Sequence, residues 1–299
     1  MTVPGPDESQ DPLAYYRRHG RITDPREEGG MLANLPLETD ALRDVVQGLM
    51  VHIFWAQRHG LTLSPERQKE VQLRYVSDKL KQIRRLDGRP LVEPRPVEKR
   101  LVGNCRDISV MLCAMLRQQG VPARARCGFA TYFLPNHFED HWVCELWPGS
   151  RRWVMVDAQL DALQRKILGI DFDPLDVPHD RFLTGGKAWQ MCRAGKADPD
   201  AFGISDLHGL WFVRGNLVRD LAALNKVELL PWDTWGLIEG RDHDISRRDL
   251  SLLDRAAALC QPNNDEFEEA RSLYEGSEKL RVPRTIRTHL RTGVETVEL

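Results

Sequence analysis

Cys105, His141 and Asp157 are the residue types of an activated thiol, and they follow one another at separations of 36 and 16 residues. In such a set the imidazole takes the thiol proton and hands it to a leaving group. The carboxylate holds the imidazole tautomer and supports the imidazolium. The chain has six cysteines, and Cys105 is the one that opens a predicted helix. In Gly103-Asn104-Cys105-Arg106-Asp107, Asn104 is a good N-cap and Asp107 completes a capping-box-like start. A cysteine in the first turn meets the positive end of the helix dipole, which favours thiolate. Arg106 adds to that effect and Asp107 opposes it. Alone, Cys105 reads as a small apolar filler, as Cys113 does; the downstream pair changes the reading.

The elements that must position these residues follow from apolar spacing and turn chemistry. Residues Asn104 to Gln119 read as a short, largely buried helix, stopped by Gly120 and Pro122. Strand-like runs follow at about 123–133, 141–147 and 152–157, with Pro148-Gly149-Ser150 as a turn between the last two. A three-residue loop there sets Trp147 opposite Arg151 and His141 opposite Asp157. Opposed residues share a face with Cα atoms roughly 4.5–5.5 Å apart, within reach of an imidazole–carboxylate hydrogen bond. Upstream, apolar positions from Leu42 to Phe54 predict a helix over 38–59, and Ser64 with Pro65 starts another that runs to about Arg85. Residues 1–30, with four prolines and few apolar side chains, read as an extended arm. Beyond Ala158 the chain reads as loop over 171–186, helix over 207–225 and two helices within 246–280, the second from Asn264 or Asp265. A helix followed by antiparallel strands is an α+β pattern.

The segment from about Leu101 to Asp161 resembles the core of the transglutaminase-like superfamily, a branch of the papain-like cysteine-enzyme fold, as found in bacterial transglutaminase-like domain proteins. The resemblance rests on five stretches: Gly103-Asn104-Cys105, the run Leu116 to Arg124, Gly128-Phe129, His141 to Trp147, and Trp153 to Asp157. It implies a Cys-bearing helix packed on an antiparallel sheet, with helical N- and C-terminal elaborations. The chain then divides into an arm (1–30), a transglutaminase-like domain (31–240, core motifs 101–161) and a C-terminal helical extension (241–299). It also implies Cys105 as nucleophile, His141 as base and acid, and Asp157 as the orienting carboxylate. The family completes its oxyanion hole with the nucleophile's own N–H and an upstream donor. Trp55 and Gln57 are candidates for that donor, and Trp142 is a further candidate for substrate contact. The implied reaction is acyl transfer or amide hydrolysis through a thioester, on a protein, peptide or small-molecule amide. The alternatives are a small-molecule amide synthase or acyltransferase of secondary metabolism and a catalytically silent binding module. No cofactor is implied.

The remaining sequence narrows the field. Forty-two basic and forty-four acidic residues give a net charge of −2, which fits neither a nucleic-acid binder nor a polybasic membrane anchor. No run reaches the roughly 18 apolar residues of a membrane span. Without a secretion signal or C-x-x-C pair, a cytoplasmic protein with reduced thiols is expected. No metal site is expected: His137 to His141 leads into a strand rather than lying on one helical face, and Asp171 to Phe182 lacks the Gly and Glu of a calcium loop. Gly185-Gly186-Lys187 is too short for a phosphate loop. Trp232 and Trp235 read as loop anchors.

Overall fold

The computed structural model describes residues 11–149, 152–262 and 266–299. Ser150, Arg151 and the helix start at Asn264 or Asp265 fall outside them. The chain forms two compact units, one from residues up to Ala125 together with Val143–Val177, the other from Arg126–Trp142 and Pro178–Leu299.

The first unit contains α1 (Pro12–Arg17), α2 (Thr39–Leu49), β1 (Met50–His52), α3 (Pro65–Gln68), α4 (Val76–Leu86), β2 (Leu101–Gly103) and α5 (Cys105–Gln118). It also holds the start of β3 (Ala123–Ala130), the end of β4 (Phe138–Leu146), β5 (Val154–Val156) and α6 (Ala162–Leu168). Within the stretch expected to be extended, α1 forms because Asp11 accepts a hydrogen bond from the Leu13 N–H and Pro12 occupies the first helical position. The helix expected over 38–59 stops at Leu49. Met50, Val51 and His52 instead pair in parallel with Leu101, Val102 and Gly103. That two-stranded ladder takes over the backbone groups that a longer helix would have used. The helix expected from Pro65 to Arg85 also breaks. Leu73 turns extended, and α4 restarts at Val76, whose N–H donates to the Ile22 carbonyl at 2.9 Å. Helix α5 is buried at every position from Cys105 to Arg117, in keeping with its apolar circumference.

The second unit continues β3 and β4 and adds β6 (Phe182–Thr184), α7 (Gly185–Arg193), β7 (Phe202–Ile204), β8 (Leu207–His208) and α8 (Leu210–Leu224). Then come β9 (Asp233–Thr234), α9 (Arg247–Leu259), α10 (Phe267–Glu275), β10 (Thr285–Leu290) and β11 (Gly293–Glu298). The main sheet has the order β6-β3-β4-β7-β8, with β5 also on β4. Residues 182–193, part of which was expected to be loop, form β6 and α7. Thr184 caps α7 by accepting from the Lys187 N–H. Gly185 and Gly186 let α7 lie close to its neighbours, since a Cβ there would come within 2.6 Å of the Asn216 and Ala257 carbonyl oxygens. The C-terminal stretch carries its two helices and also the β10–β11 hairpin, which the expectation of a helical extension did not include. Trp235 is buried and donates its indole N–H to the Leu280 carbonyl, the anchoring role read for it. Among the described residues no helix is long and apolar enough to cross a membrane.

Candidate active site

Cys105 is the first residue of α5. Asn104 accepts from the Asp107 N–H at 3.1 Å, and the Asp107 carboxylate accepts from the Asn104 N–H at 3.1 Å, so the capping box is complete. The sulfur-bearing residue is buried but retains 7% exposure. Behind this turn lies a charge cluster that the sequence did not reveal. Lys79, on α4, places its ammonium 3.1 Å from Asp107 Oδ1, and Arg106 donates to the same oxygen at 2.8 Å. The Arg106 guanidinium also donates to the Arg74 carbonyl, so its charge is met by Asp107 instead of standing alone beside the thiol. Lys79 donates to the carbonyls of Leu73 and Arg74, the residues where the expected long helix breaks. Burial pushes the Lys79 amine down to about 8, with Asp107 opposing the fall.

His141 lies on the part of β4 that belongs to the second unit and is almost wholly buried. Aromatic rings surround it edge-on: Phe133 at 4.9 Å, Tyr132 at 6.0 Å and Phe182 at 6.3 Å between ring centroids. Such packing restricts the imidazole to few orientations. Its neighbour Asp140 points to the opposite face of the strand. There its carboxylate accepts from the Asn216 amide at 2.7 Å, and burial raises its pKa.

Asp157 follows the last residue of β5 and is also almost wholly buried. Its N–H donates to the Pro174 carbonyl at 2.8 Å, and its carboxylate accepts from the Gln159 N–H at 3.0 Å. The β4–β5 register differs from the one expected. The ladder pairs Leu146 with Val154, Glu145 with Met155 and Cys144 with Val156. The loop is therefore longer than three residues, and the pairing is displaced by two positions from the His141–Asp157 opposition. A two-residue shift preserves which face each side chain takes, whereas a one-residue shift would reverse it. His141 thus comes three residues before the Cys144 that pairs with Val156, and Asp157 one residue after Val156.

The other candidates fall as follows. Trp55 is half-buried, with the Arg58 guanidinium 5.5 Å from its ring centre, and Gln57 is exposed within the turn Ala56–His59. Trp142 is buried on β4, on the opposite face from His141. The element brought alongside the Cys105 turn is β1, through its pairing with the three residues before Asn104. After it the Ile53 N–H donates to the Gly103 carbonyl, and the His52 ring accepts from the Phe54 N–H. The β-branched Val51 and Ile53 after Gly48 were the available signal for this strand. His137 pairs with Glu139 at 3.2 Å at the start of β4, and among the described residues no group of three or more His, Cys, Asp or Glu is placed to hold a metal.

Residues 64–158, about a third of the chain, match the model of the transglutaminase-like superfamily core. Over these residues the chain is similar to that core, and the matched span includes Cys105, His141 and Asp157 while starting well upstream of the motifs at 101–161. A solved structure named "Putative Cysteine Protease", from Cytophaga hutchinsonii, is similar at 16% identity with a TM-score of 0.34. That likeness covers 61% of this chain and 48% of the other, so the chain spans about half of that protein's length. No curated protein matches the chain significantly.

Proposed function

We propose that the protein is a cysteine enzyme that forms a thioester on Cys105 from an amide or ester and transfers the acyl group to an amine or to water. The observation that carries this reading is the position of Cys105 as the first residue of a fully capped, buried helix, within the span that matches the transglutaminase-like core. The first-turn N–H groups of a helix lack intrahelical partners, so they favour an anionic sulfur and can donate to a developing oxyanion. In this reading the Cys105 sulfur attacks the carbonyl carbon, a C–S bond forms, and the C–N bond of an amide or the C–O bond of an ester breaks as His141 passes the thiol proton to the leaving amine or alcohol. Asp157 holds the His141 tautomer. In the second half the acceptor gives its proton to His141 as it displaces the sulfur. The aromatic packing around His141 supports a base of fixed orientation.

The test is turnover of a panel of aryl amides and aryl esters by the wild type and three variants. Cys105→Ala is expected to abolish turnover above the uncatalysed rate. Asp157→Asn, which removes the tautomer control, is expected to lower kcat by about 10²- to 10⁴-fold. Undiminished turnover in Cys105→Ala would end this proposal.

A further inference from the structure

We propose that Cys113 and Cys144 are a disulfide site: when the chain folds in the presence of a small-molecule disulfide, their sulfurs are joined. The bond pins α5, the helix that opens with Cys105, to strand β4. This assignment is independent of the reading of Cys105 as a nucleophile.

Three observations carry it. First, the two sulfurs lie 3.1 Å apart within the first unit. Non-bonded carbon atoms, which are smaller than sulfur, rest roughly 3.5–4.0 Å apart, so the pair is already inside ordinary contact distance. A shift of about 1 Å would bring it to a sulfur–sulfur bond. Second, regular elements hold both residues. Cys113 lies on α5 two turns beyond Cys105, and Cys144 on β4 is paired with Val156 of β5. Third, the surroundings leave the sulfurs to each other. The other polar contact of the Cys144 thiol is the Glu145 carbonyl at 3.8 Å, a long reach for a weak donor. The Glu145 carboxylate is committed to Arg124 at 2.6 Å. Among the described residues no group of three or more His, Cys, Asp or Glu is placed to hold a metal, so the pair is not part of a metal cluster.

Burial decides when the bond forms. Both residues are wholly buried, and burial, with the Cys113 thiol adding to it, holds the Cys144 thiol well above its ordinary pKa. Protonated, inaccessible thiols exchange slowly. A peroxide sensor needs the opposite, an exposed thiol of low pKa. The bond is therefore made during folding, before α5 and β4 close over it. A chain folded under reducing conditions keeps both thiols as small apolar fillers. The finished protein thus records the redox conditions in which it folded.

The step balances with the small disulfide as oxidant. One cysteine thiolate attacks a sulfur of that disulfide, giving a mixed disulfide and one small thiolate. The second cysteine thiolate then displaces the other small thiolate. The two cysteines lose two electrons and two protons, and the small disulfide becomes two thiols. The bond joins positions 31 residues apart. It restricts the unfolded chain and should lower the unfolding constant about 10²- to 10³-fold.

The experiment unfolds the full chain in urea with reductant, then refolds it with either glutathione disulfide or reduced glutathione. Free thiols are blocked with N-ethylmaleimide in urea, and peptides are mapped by mass without reduction. The chain refolded with glutathione disulfide is expected to give a linked Cys113–Cys144 peptide pair, lighter by two hydrogens than the separate peptides. Its urea midpoint should exceed that of the reduced chain, and Cys113→Ala should show no such difference between the two conditions. Tris(2-carboxyethyl)phosphine should spare the bond in the native chain and cleave it in urea. Blocked thiols at both positions, or links from either cysteine to a different one, would overturn the proposal. So would a bond cleaved as fast in the native chain as in urea. The wild-type peptide map decides the pairing even if Cys113→Ala fails to fold.

Discussion

Replacing Lys79 by Met tests the charge cluster behind the Cys105 turn, and its effect depends on pH in a calculable way. In the folded chain the Lys79 amine titrates at about 8, against an ordinary value of 10.5, because burial outweighs its pairing with Asp107. Between those two values the unfolded chain holds a proton that the folded chain has released. Stability therefore rises with pH through that window. The gap corresponds to about 3 kcal/mol at about 1.4 kcal/mol per pH unit, an order-of-magnitude figure for a fully buried group. Other titrations shift stability too: burial raises Cys192 to about 11 and Tyr274 to about 12, and both favour the fold less as pH climbs above their ordinary values. Those contributions cancel when the wild type is compared with Lys79→Met. Urea unfolding, followed by fluorescence of the eight tryptophans, is measured for both proteins from pH 7 to 10. The wild type is expected to gain about 2–3 kcal/mol relative to the variant across that range. A difference that stays flat would mean that the amine is solvated. A difference that falls with pH would mean that Asp107 outweighs burial and would contradict a lowered Lys79 pKa.

Three further outcomes follow from the geometry. Arg126 and Asp220 form a two-pronged pair at 2.9 and 2.8 Å with both side chains fully buried, and Asp220 also accepts from the Cys127 N–H. Asp220→Ala removes the carboxylate that meets the buried Arg126 charge, so it should cost about 3–5 kcal/mol in urea unfolding. Gly128→Ala would bring a Cβ within 2.1 Å of the Leu183 carbonyl oxygen across the β3–β6 ladder. It should lower the thermal midpoint by several degrees, with a far larger effect than alanine at Gly30, whose Cβ would meet nothing and whose φ is not positive. Native alkylation by iodoacetamide at pH 7.5, read by peptide mass mapping, should label Cys105 ahead of Cys192. The more exposed Cys192 is held protonated by burial, and Cys144, raised by burial beside the Cys113 thiol 3.1 Å away, should stay unlabelled until unfolding.

What could be read from the sequence was what short-range rules determine. The Asn104–Cys105–Asp107 start of α5 involves residues three apart, so its capping box was visible before any fold was known. The same holds for Ser64 before α3, which caps its helix. The β4–β5 register was not legible because it depends on the length of the intervening loop, and the expected three-residue turn proved too short. Strand β1 was hidden because Met50, Val51 and His52 extend the apolar run of α2, and only the distant Leu101–Gly103 makes them a strand. Lys79 carried no signal, because its burial against Asp107 depends on how α4 meets α5. The alternation Thr285-Ile286-Arg287-Thr288 had the period of two of a strand, and β10 buries Ile286 and Thr288 accordingly.

The claim that most needs testing is that Cys105 carries the acyl group. Intact-mass spectrometry of the wild type, quenched in acid within seconds of mixing with an activated ester, should show one added acyl mass that maps to the Cys105 peptide and disappears with hydroxylamine. Cys105→Ala under the same conditions should stay unmodified. Acylation of the variant at the wild-type rate, or an adduct on any other cysteine of the wild type, would contradict the thioester on Cys105.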